Sequence, residues 1–201
     1  MEKPKDYGLP QMGIEHQSIS QRSIEEIYRS IRDLGALFGA SSRAEELEAR
    51  LKKRVKWIHG KVSSSRRPTV LVAFNRNWGE GLVASVFSPG PKTFVDDLIR
   101  LAGGQNVCRD LDNEYPQLTH ENILRYQPDM ILDINTNENM PDSRKSKAVE
   151  DWKSLPGLSA YSSGNIHVLT QDCLDKPSTR FDEALEIFAK IIHPEVDWNK
   201  E

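Results

Sequence analysis

The chain has 201 residues, of which 37% are hydrophobic and 28% are charged, and its net charge is −3. This length and composition fit one domain, or one domain with an appendage, and exclude a disordered chain. The negative net charge does not indicate a basic surface for binding nucleic acid. No apolar segment reaches the length of a membrane span. The first thirteen residues are polar and lack the apolar segment of a signal peptide.

Two helices are predicted before any strand. Ser23 and Glu26 have the spacing of a capping box, and Gly39 has the place of a helix stop. Apolar residues at helical spacing between them are expected to face inward: Ile24, Ile27, Ile31, Leu34, Leu37 and Phe38. A second helix is predicted over residues 41–62, with its own apolar stripe formed by Ala44, Leu47, Leu51, Val55, Ile58 and Val62. The basic stretches "LKKRVKWIHGK" and "SSSRRP" are assigned to the exposed face of this helix and to the loop after it.

Strands then alternate with helices to the end of the chain. Strands are predicted over residues 68–74, 82–87, 106–108, 129–134 and 165–170, and helices over 92–102, from Thr119 to before Pro128, up to about Trp152, and over 178–192. This alternation predicts an α/β fold, a mostly parallel Rossmann-like sheet covered by helices on both faces. Ligands of such sheets bind at the carboxyl ends of the strands, so residues 75–91, 135–144 and 171–177 are the loops of interest.

Motifs for catalysis and for cofactors are absent from the sequence. No glycine-rich phosphate or dinucleotide loop and no nucleophile elbow is found, and Gly103 is interpreted as a helix C-terminal residue. The five histidines lack metal-ligand spacing, so neither a protein-ligated metal nor a cofactor is predicted. Cys108 and Cys173 are either free thiols or one disulfide. Cys173 beside Asp172 has no visible base, so an enzyme is not favoured.

Three residues have two interpretations each. Trp78, in a glycine-bearing loop, is either a ligand platform or packs against a neighbouring helix. Arg180 lies at the start of the last helix, where a cation is unfavourable, so either an acid such as Asp182 or Glu183 or an anionic ligand compensates it. Glu121, in "LTHENILRYQPDMIL", is either a helix-start acid or a residue that meets a partner.

The chain resembles the substrate-binding proteins of ABC importers for iron–siderophores, haem and vitamin B12. The resemblance covers about residues 20–195 and is carried by "LAGGQNV", then "E…QPDMIL", then "R…AL…HPE", in that order. It implies two α/β lobes joined by a long rigid helix, with the ligand in the cleft between the lobes. It assigns residues 1–20 to a remnant of the N-terminal lobe, 21–65 to the helical linker and 66–201 to the C-terminal lobe.

The resemblance also implies partners and site residues. The ligand is expected to be a preformed metal chelate, which needs aromatic area and a few cations instead of protein metal ligands. By correspondence with the loops that contact the ligand in the family, the resemblance places five residues at the ligand: Arg76, Trp78, Asp172, Cys173 and Arg180. It also places Glu121, in the "S/T-x-E" segment, against arginines of the ABC permease. A periplasmic or cell-surface location follows from the same family.

The resemblance leaves most of an N-terminal lobe unaccounted for, so we expect a truncated product or a shortened paralogue. A homodimer through the face left by the missing lobe is predicted. Two other functions stay open. A non-transport interaction module would expose a large apolar face on the sheet or the linker helix. A small hydrolase or chelatase would have a lowered thiol pKa or a histidine pair near residues 171–177.

Overall fold

The computed structural model describes residues 19–74, 76–136 and 140–200. The predicted remnant of an N-terminal lobe therefore lies almost wholly outside the described residues. The helices are α1 (Ile24–Leu37), α2 (Ser41–Val62), α3 (Phe94–Leu101), α4 (His120–Tyr126), α5 (Asp142–Asp151), α6 (Ser159–Ser162) and α7 (Phe181–Ile192). The strands are β1 (Thr69–Ala73), β2 (Ser85–Phe87), β3 (Gln105–Asn106), β4 (Gln117–Thr119), β5 (Met130–Ile134) and β6 (Ile166–Leu169).

Four strands form a parallel sheet in the order β3-β1-β5-β6. Alternate residues of β1 point to opposite faces, as the period of a strand requires. Val70 and Val72 join a core with α1, α2, α3 and α7, whereas Leu71 and Ala73 join a second core that includes Ile123 of α4 and Trp152. The predicted α/β fold with a parallel sheet covered on both faces is confirmed.

Helices α1 and α2 begin and end close to the predicted residues. The Ser23 side chain accepts from the Glu26 N–H, and Gly39 has a φ of 63° after the end of α1. The predicted capping box is incomplete, because the Glu26 carboxylate accepts from the Arg22 N–H instead of the Ser23 N–H. The helices pack on each other and on the sheet core, so residues 24–62 form two helices instead of one long rod. The domain boundaries themselves stay a prediction.

The end of α1 corrects the predicted apolar stripe. Leu34 is 40%, Leu37 64% and Phe38 74% exposed, although all three were expected to face inward. The helix stops at Leu37 while the sheet core lies beside its first half, so the last turn extends past the core. Helical spacing assigns a residue to a face, but only the position of the neighbouring element decides whether that face is covered.

A second, two-stranded sheet was missed. Strands β2 and β4 pair antiparallel, with Val86 opposite Leu118, just before the start of α4. The strand predicted at residues 106–108 also shifts, because β3 covers Gln105–Asn106 and residues 107–110 form a turn. Strands of two or three residues carry too little periodicity to be placed from sequence.

Candidate functional site at the carboxyl edge of the sheet

An aromatic cavity of about 230 Å³ opens at the carboxyl edge of the parallel sheet. Phe74 directly follows β1, and its backbone pairs with that of Phe87 at the end of β2. The residues that line this aromatic cavity are Phe74, Phe87, Phe94, Val95, Tyr115, Asp175 and Pro177. Phe87 is 39% and Tyr115 50% exposed, so both rings present apolar area to solvent.

The cavity offers chiefly ring surface, with one phenol and one carboxylate. Partial burial, followed by the neighbouring charge of Glu114, raises the pKa of the Tyr115 phenol above its ordinary value, which keeps it a neutral hydrogen-bond donor. Asp175 accepts from the Thr136 hydroxyl at 3.2 Å. Such a surface stacks against a flat apolar ligand and orients it with few polar contacts.

Next to this edge, Arg76 and Trp78 belong to a buried charged group that we call the Arg76 cluster: Arg76, Trp78, Asp133, Asp151 and Trp152. The Asp133 carboxylate accepts from Arg76 Nε at 2.7 Å, Trp78 Nε1 at 2.9 Å and Trp152 Nε1 at 2.8 Å. Asp151 accepts from Arg76 Nη1 at 2.8 Å. All five side chains are nearly inaccessible to solvent. The cluster joins the loop after β1 to the end of β5 and the end of α5.

The Arg76 cluster also fixes the backbone of its loop. Asp151 accepts from the N–H groups of Gly79 and Gly81, both at 2.7 Å, while Arg76 Nη2 donates to the Ala148 carbonyl at 2.6 Å. Burial by itself raises the pKa of the Asp151 carboxyl, but the hydrogen bonds from Arg76, Gly79 and Gly81 outweigh it and hold the pKa below the ordinary value. The carboxylate is therefore ionised at neutral pH.

The Trp78 side chain is packed in the interior, as the second of its two interpretations expected. The indole lies against Met140, Ala148 and Val168, and its N–H is used by Asp133. Arg76 is likewise turned inward, with its guanidinium shared between two carboxylates and a carbonyl. Direct contact of Arg76 and Trp78 with a ligand stays a prediction that this inward arrangement does not support.

The other predicted ligand residues come together after β6. Arg180 bridges Asp172, at 3.1 Å, and Glu183, at 2.9 Å, and we call these three residues the Arg180 cluster. Nearby acids thus compensate the cation, and Glu183 is one of the two that the sequence suggested. The Arg180 side chain is 53% exposed, so it also remains accessible from solvent.

Cys173 lies beside the Arg180 cluster but does not have the properties of a nucleophile. The residue is buried, and burial raises the pKa of its thiol despite the opposing charge of Arg180. Cys108 and Cys173 are both free thiols, which settles the open disulfide question. The lowered thiol pKa expected of a cysteine hydrolase is therefore not found at this loop.

Glu121 lies on the first turn of α4 with its side chain 80% exposed. Capping does not need it, since Thr119 and Asn122 form the reciprocal capping box of this helix. The one ion-pairing partner within 4 Å of its carboxylate among the described residues is the His120 imidazole, at 3.9 Å. Glu121 is thus a surface acid that is not used by the local fold, and its docking role stays a prediction.

Sequence reasoning missed Phe74, Phe87, Tyr115 and Asp175 as cavity residues. Phe74 and Asp175 lie at loops after parallel strands, the place where a site was expected, so position was the available signal. Phe87 had this signal as well, because it lies in the predicted strand 82–87 and in the 75–91 region of interest. Tyr115 had none, because β4 and its pairing with β2 were not predicted. None of the described helices combines the length and apolar character needed to cross a lipid bilayer.

Comparisons with known proteins agree on one family. The family model described as periplasmic binding protein matches residues 7–172. A cobalamin-binding protein of Halobacterium salinarum is 27% identical over 175 residues, which cover 85% of this chain and 45% of that protein. The high-affinity heme uptake system protein IsdE of Staphylococcus aureus is 30% identical over 132 residues, covering 65% of this chain and 42% of that protein.

Solved structures show the same fold. An ABC transporter substrate-binding protein from Listeria monocytogenes superposes with a TM-score of 0.81 at 24% identity, covering 94% of this chain and 72% of that chain. The chain spans about half the length of the curated relatives it matches. The family model matches most of the chain, and the resemblance seen in the sequence is confirmed: the chain belongs to the periplasmic binding protein family.

Proposed function

We propose that this chain is the substrate-binding component of an ABC importer, or a part of one, and binds a preformed metal chelate. Iron–siderophore, haem and cobalamin are the ligands under consideration, and no protein-bound cofactor is required. The observation that carries the proposal is the aromatic cavity at the carboxyl edge of the sheet, where ligands of such folds bind. The aromatic cavity, with a volume of about 230 Å³, accommodates part of such a ligand, and its residues form one wall of a larger site.

The relatives support the same ligand classes. They include a cobalamin-binding protein, a heme uptake protein and an ABC transporter substrate-binding lipoprotein. A chelate brings its own metal, so the protein contributes ring surface and hydrogen bonds, which the aromatic cavity supplies. A location outside the cytoplasm, in the periplasm or at the cell surface, follows from the same proposal.

Calorimetric titration with haem, cobalamin and a ferric hydroxamate tests the ligand. Phe87→Ser and Tyr115→Ser remove exposed rings of the aromatic cavity, and we expect either change to weaken the bound chelate by about tenfold. Phe38→Ser is the matched control, because Phe38 is an exposed ring at the end of α1 and outside the cavity. If no chelate binds, or if the control weakens binding equally, the proposed function is wrong.

Docking on the permease is proposed to use Glu121. Glu121→Gln removes the charge and leaves the Thr119–Asn122 capping box in place, so stability should change little. Binding to the permease in lipid nanodiscs should fall severalfold and depend on salt, as for an exposed charge pair. Glu45→Gln, at an exposed acid on α2, is the control. Equal binding of Glu121→Gln and wild type would remove Glu121 from the interface.

An interaction module is the second candidate, favoured by the exposed end of α1. Leu34, Leu37 and Phe38 present apolar area that the described residues do not cover, on the linker segment where the interaction hypothesis expected it. We propose that two copies associate through this surface. Light scattering at high concentration should show a dimer for wild type and a monomer for Leu37→Asp; a monomeric wild type would contradict the proposal.

A further inference from the structure

We infer that a second cavity at the same edge, the cationic cavity, is a binding site for an oxyanion such as a carboxylate or phosphate. It lies between the Trp78–Gly79 turn and the first turns of α5 and has a volume of about 320 Å³. It is lined by Trp78, Gly79, Pro141, Ser143, Arg144 and Lys147. This inference goes beyond the proposed function, and only its second test rests on that function.

Two cations are held against one wall of this cavity. Arg144 Nε donates to the Trp78 carbonyl at 3.4 Å. The stem of Lys147 lies against Gly79, since a Cβ at that glycine would be 3.4 Å from Lys147 Cβ and 3.5 Å from its Cδ. Gly79 has a φ of 82° and leaves the room that the lysine stem occupies. Both side chains are thereby directed along the same turn.

No acid among the described residues pairs with either of these two cations. Lys145, between them in sequence, pairs with Asp142 at 3.2 Å. Among the described residues neither Arg144 nor Lys147 forms an ion pair, and none of the residues lining the cavity is acidic. The described acids nearest to these cations along the chain, Asp142, Glu150 and Asp151, lie outside the lining. A cavity lined by two cations and by no carboxylate of the described residues attracts an anion.

The wall that holds the cations is itself fixed. The Gly79 N–H is bound by Asp151 and the Trp78 indole by Asp133, both members of the buried Arg76 cluster. The turn therefore does not have to be ordered when a ligand binds, which lowers the cost of binding. The remaining Arg144 donors, the Lys147 ammonium and the Ser143 hydroxyl provide the hydrogen bonds that a carboxylate or phosphate accepts.

The first test uses inorganic pyrophosphate as the probe and follows backbone amide resonances by NMR. We expect saturable shifts confined to Trp78, Gly79 and residues 143–147. Pyrophosphate binding should be at least fivefold weaker in Arg144→Gln or Lys147→Gln. Lys145→Gln is the control, being a cation on the same helix whose charge Asp142 already neutralises. Equal weakening in the control, or shifts that do not saturate, would mean an adventitious ion only and overturn the site.

The second test asks whether the oxyanion belongs to the transported ligand. Haem carries two free carboxylates, which its dimethyl ester lacks. If the cationic cavity holds a carboxylate of the ligand, haem binds at least fivefold more tightly than the ester. The double variant that combines Arg144→Gln and Lys147→Gln should bind haem and the ester equally. Equal binding of haem and ester to wild type would overturn this role.

The two tests separate the two proposals. If neither haem nor its ester binds while pyrophosphate still binds at Arg144 and Lys147, haem binding by the aromatic cavity fails and the oxyanion site stands with free phosphate as its ligand. If both porphyrins bind equally and pyrophosphate does not shift these residues, the proposed function stands and the oxyanion site fails.

Discussion

Two arginines at this edge of the sheet are each flanked by two carboxylates, yet they have opposite environments. Arg76 lies between Asp133 and Asp151 with 4% of its side chain exposed, whereas Arg180 lies between Asp172 and Glu183 with 53% exposed. In the buried cluster the indole and backbone donors fill the remaining acceptor positions of the carboxylates. In the exposed cluster the side chains of both acids are open to solvent.

The difference shows why residue type alone does not define a ligand site. A buried guanidinium that is paired with carboxylates has no free charge for a ligand, and the ion pair instead fixes the loop that surrounds it. An exposed pair exchanges its partners with water and salt, so it contributes little to stability and stays available to a ligand. Both arginines were predicted to bind the ligand, and of the two only Arg180 has its guanidinium accessible from solvent.

The largest effect is expected from breaking the buried cluster. Arg76→Met leaves the Asp133 and Asp151 carboxylates buried without their cation, which should lower the free energy of unfolding by about 3–5 kcal/mol. Urea unfolding at pH 7 measures this change. Arg180→Met is the matched control and should leave the urea midpoint nearly unchanged. Similar losses in the two variants would show that burial does not distinguish the clusters.

A smaller loss is expected when one carboxylate of the buried cluster becomes an amide. In Asp151→Asn an amide N–H₂ must face the donors of Arg76, Gly79 or Gly81, so we expect a loss of about 2–3 kcal/mol at pH 7. The folded pKa of Asp151 is lowered, so its stabilisation is present above the unfolded pKa of about 4 and is lost as pH falls through the folded value. The free energy of unfolding is measured from pH 7 down to pH 2, and its difference between variant and wild type should shrink below about pH 4. A difference that stays constant with pH would contradict this prediction.

Removing one indole donor should cost less. Trp78→Phe keeps most of the packing against Met140 and Ala148 but deletes the N–H that Asp133 accepts, for a loss of about 1–2 kcal/mol. Amide exchange at Gly79 and Gly81 should accelerate if the indole helps to hold the loop. Trp57→Phe is the control, because that indole meets the Trp198 ring edge-on, away from the cluster. Unchanged stability and exchange would make the indole bond dispensable.

The smallest effect concerns the exposed cluster. The hydrogen bond from Arg180 lowers the pKa of Glu183, so Arg180→Gln should return this pKa toward its ordinary value. Carboxyl NMR titration measures the shift, which should shrink in wild type as salt is added. Glu186, whose pKa is also lowered but by other partners, should not move. A Glu183 pKa that is insensitive to Arg180 would mean that the pair is not formed in solution.

The amount that could be predicted from sequence follows the length of the elements. Helices α2 and α7 and strands β1 and β5 have a sustained period and were placed within about three residues. Strand β2 lies within the strand predicted at 82–87, but β4 and the antiparallel pairing were not predicted, because three-residue strands are specified by their partners and not by their own pattern. Tyr115, just before β4, was missed with them.

The two arginines mark the same limit. Arg180 and Glu183 are three residues apart, so helical geometry brings them together and the sequence could name the acid. The partners of Arg76 lie 57 and 75 residues away along the chain. The sequence by itself determined the longer elements, the parallel sheet and the family, and it predicted the edge at which a site lies. Only the tertiary structure decided which charges are buried together, because ion pairing depends on distances that the packing of distant elements sets.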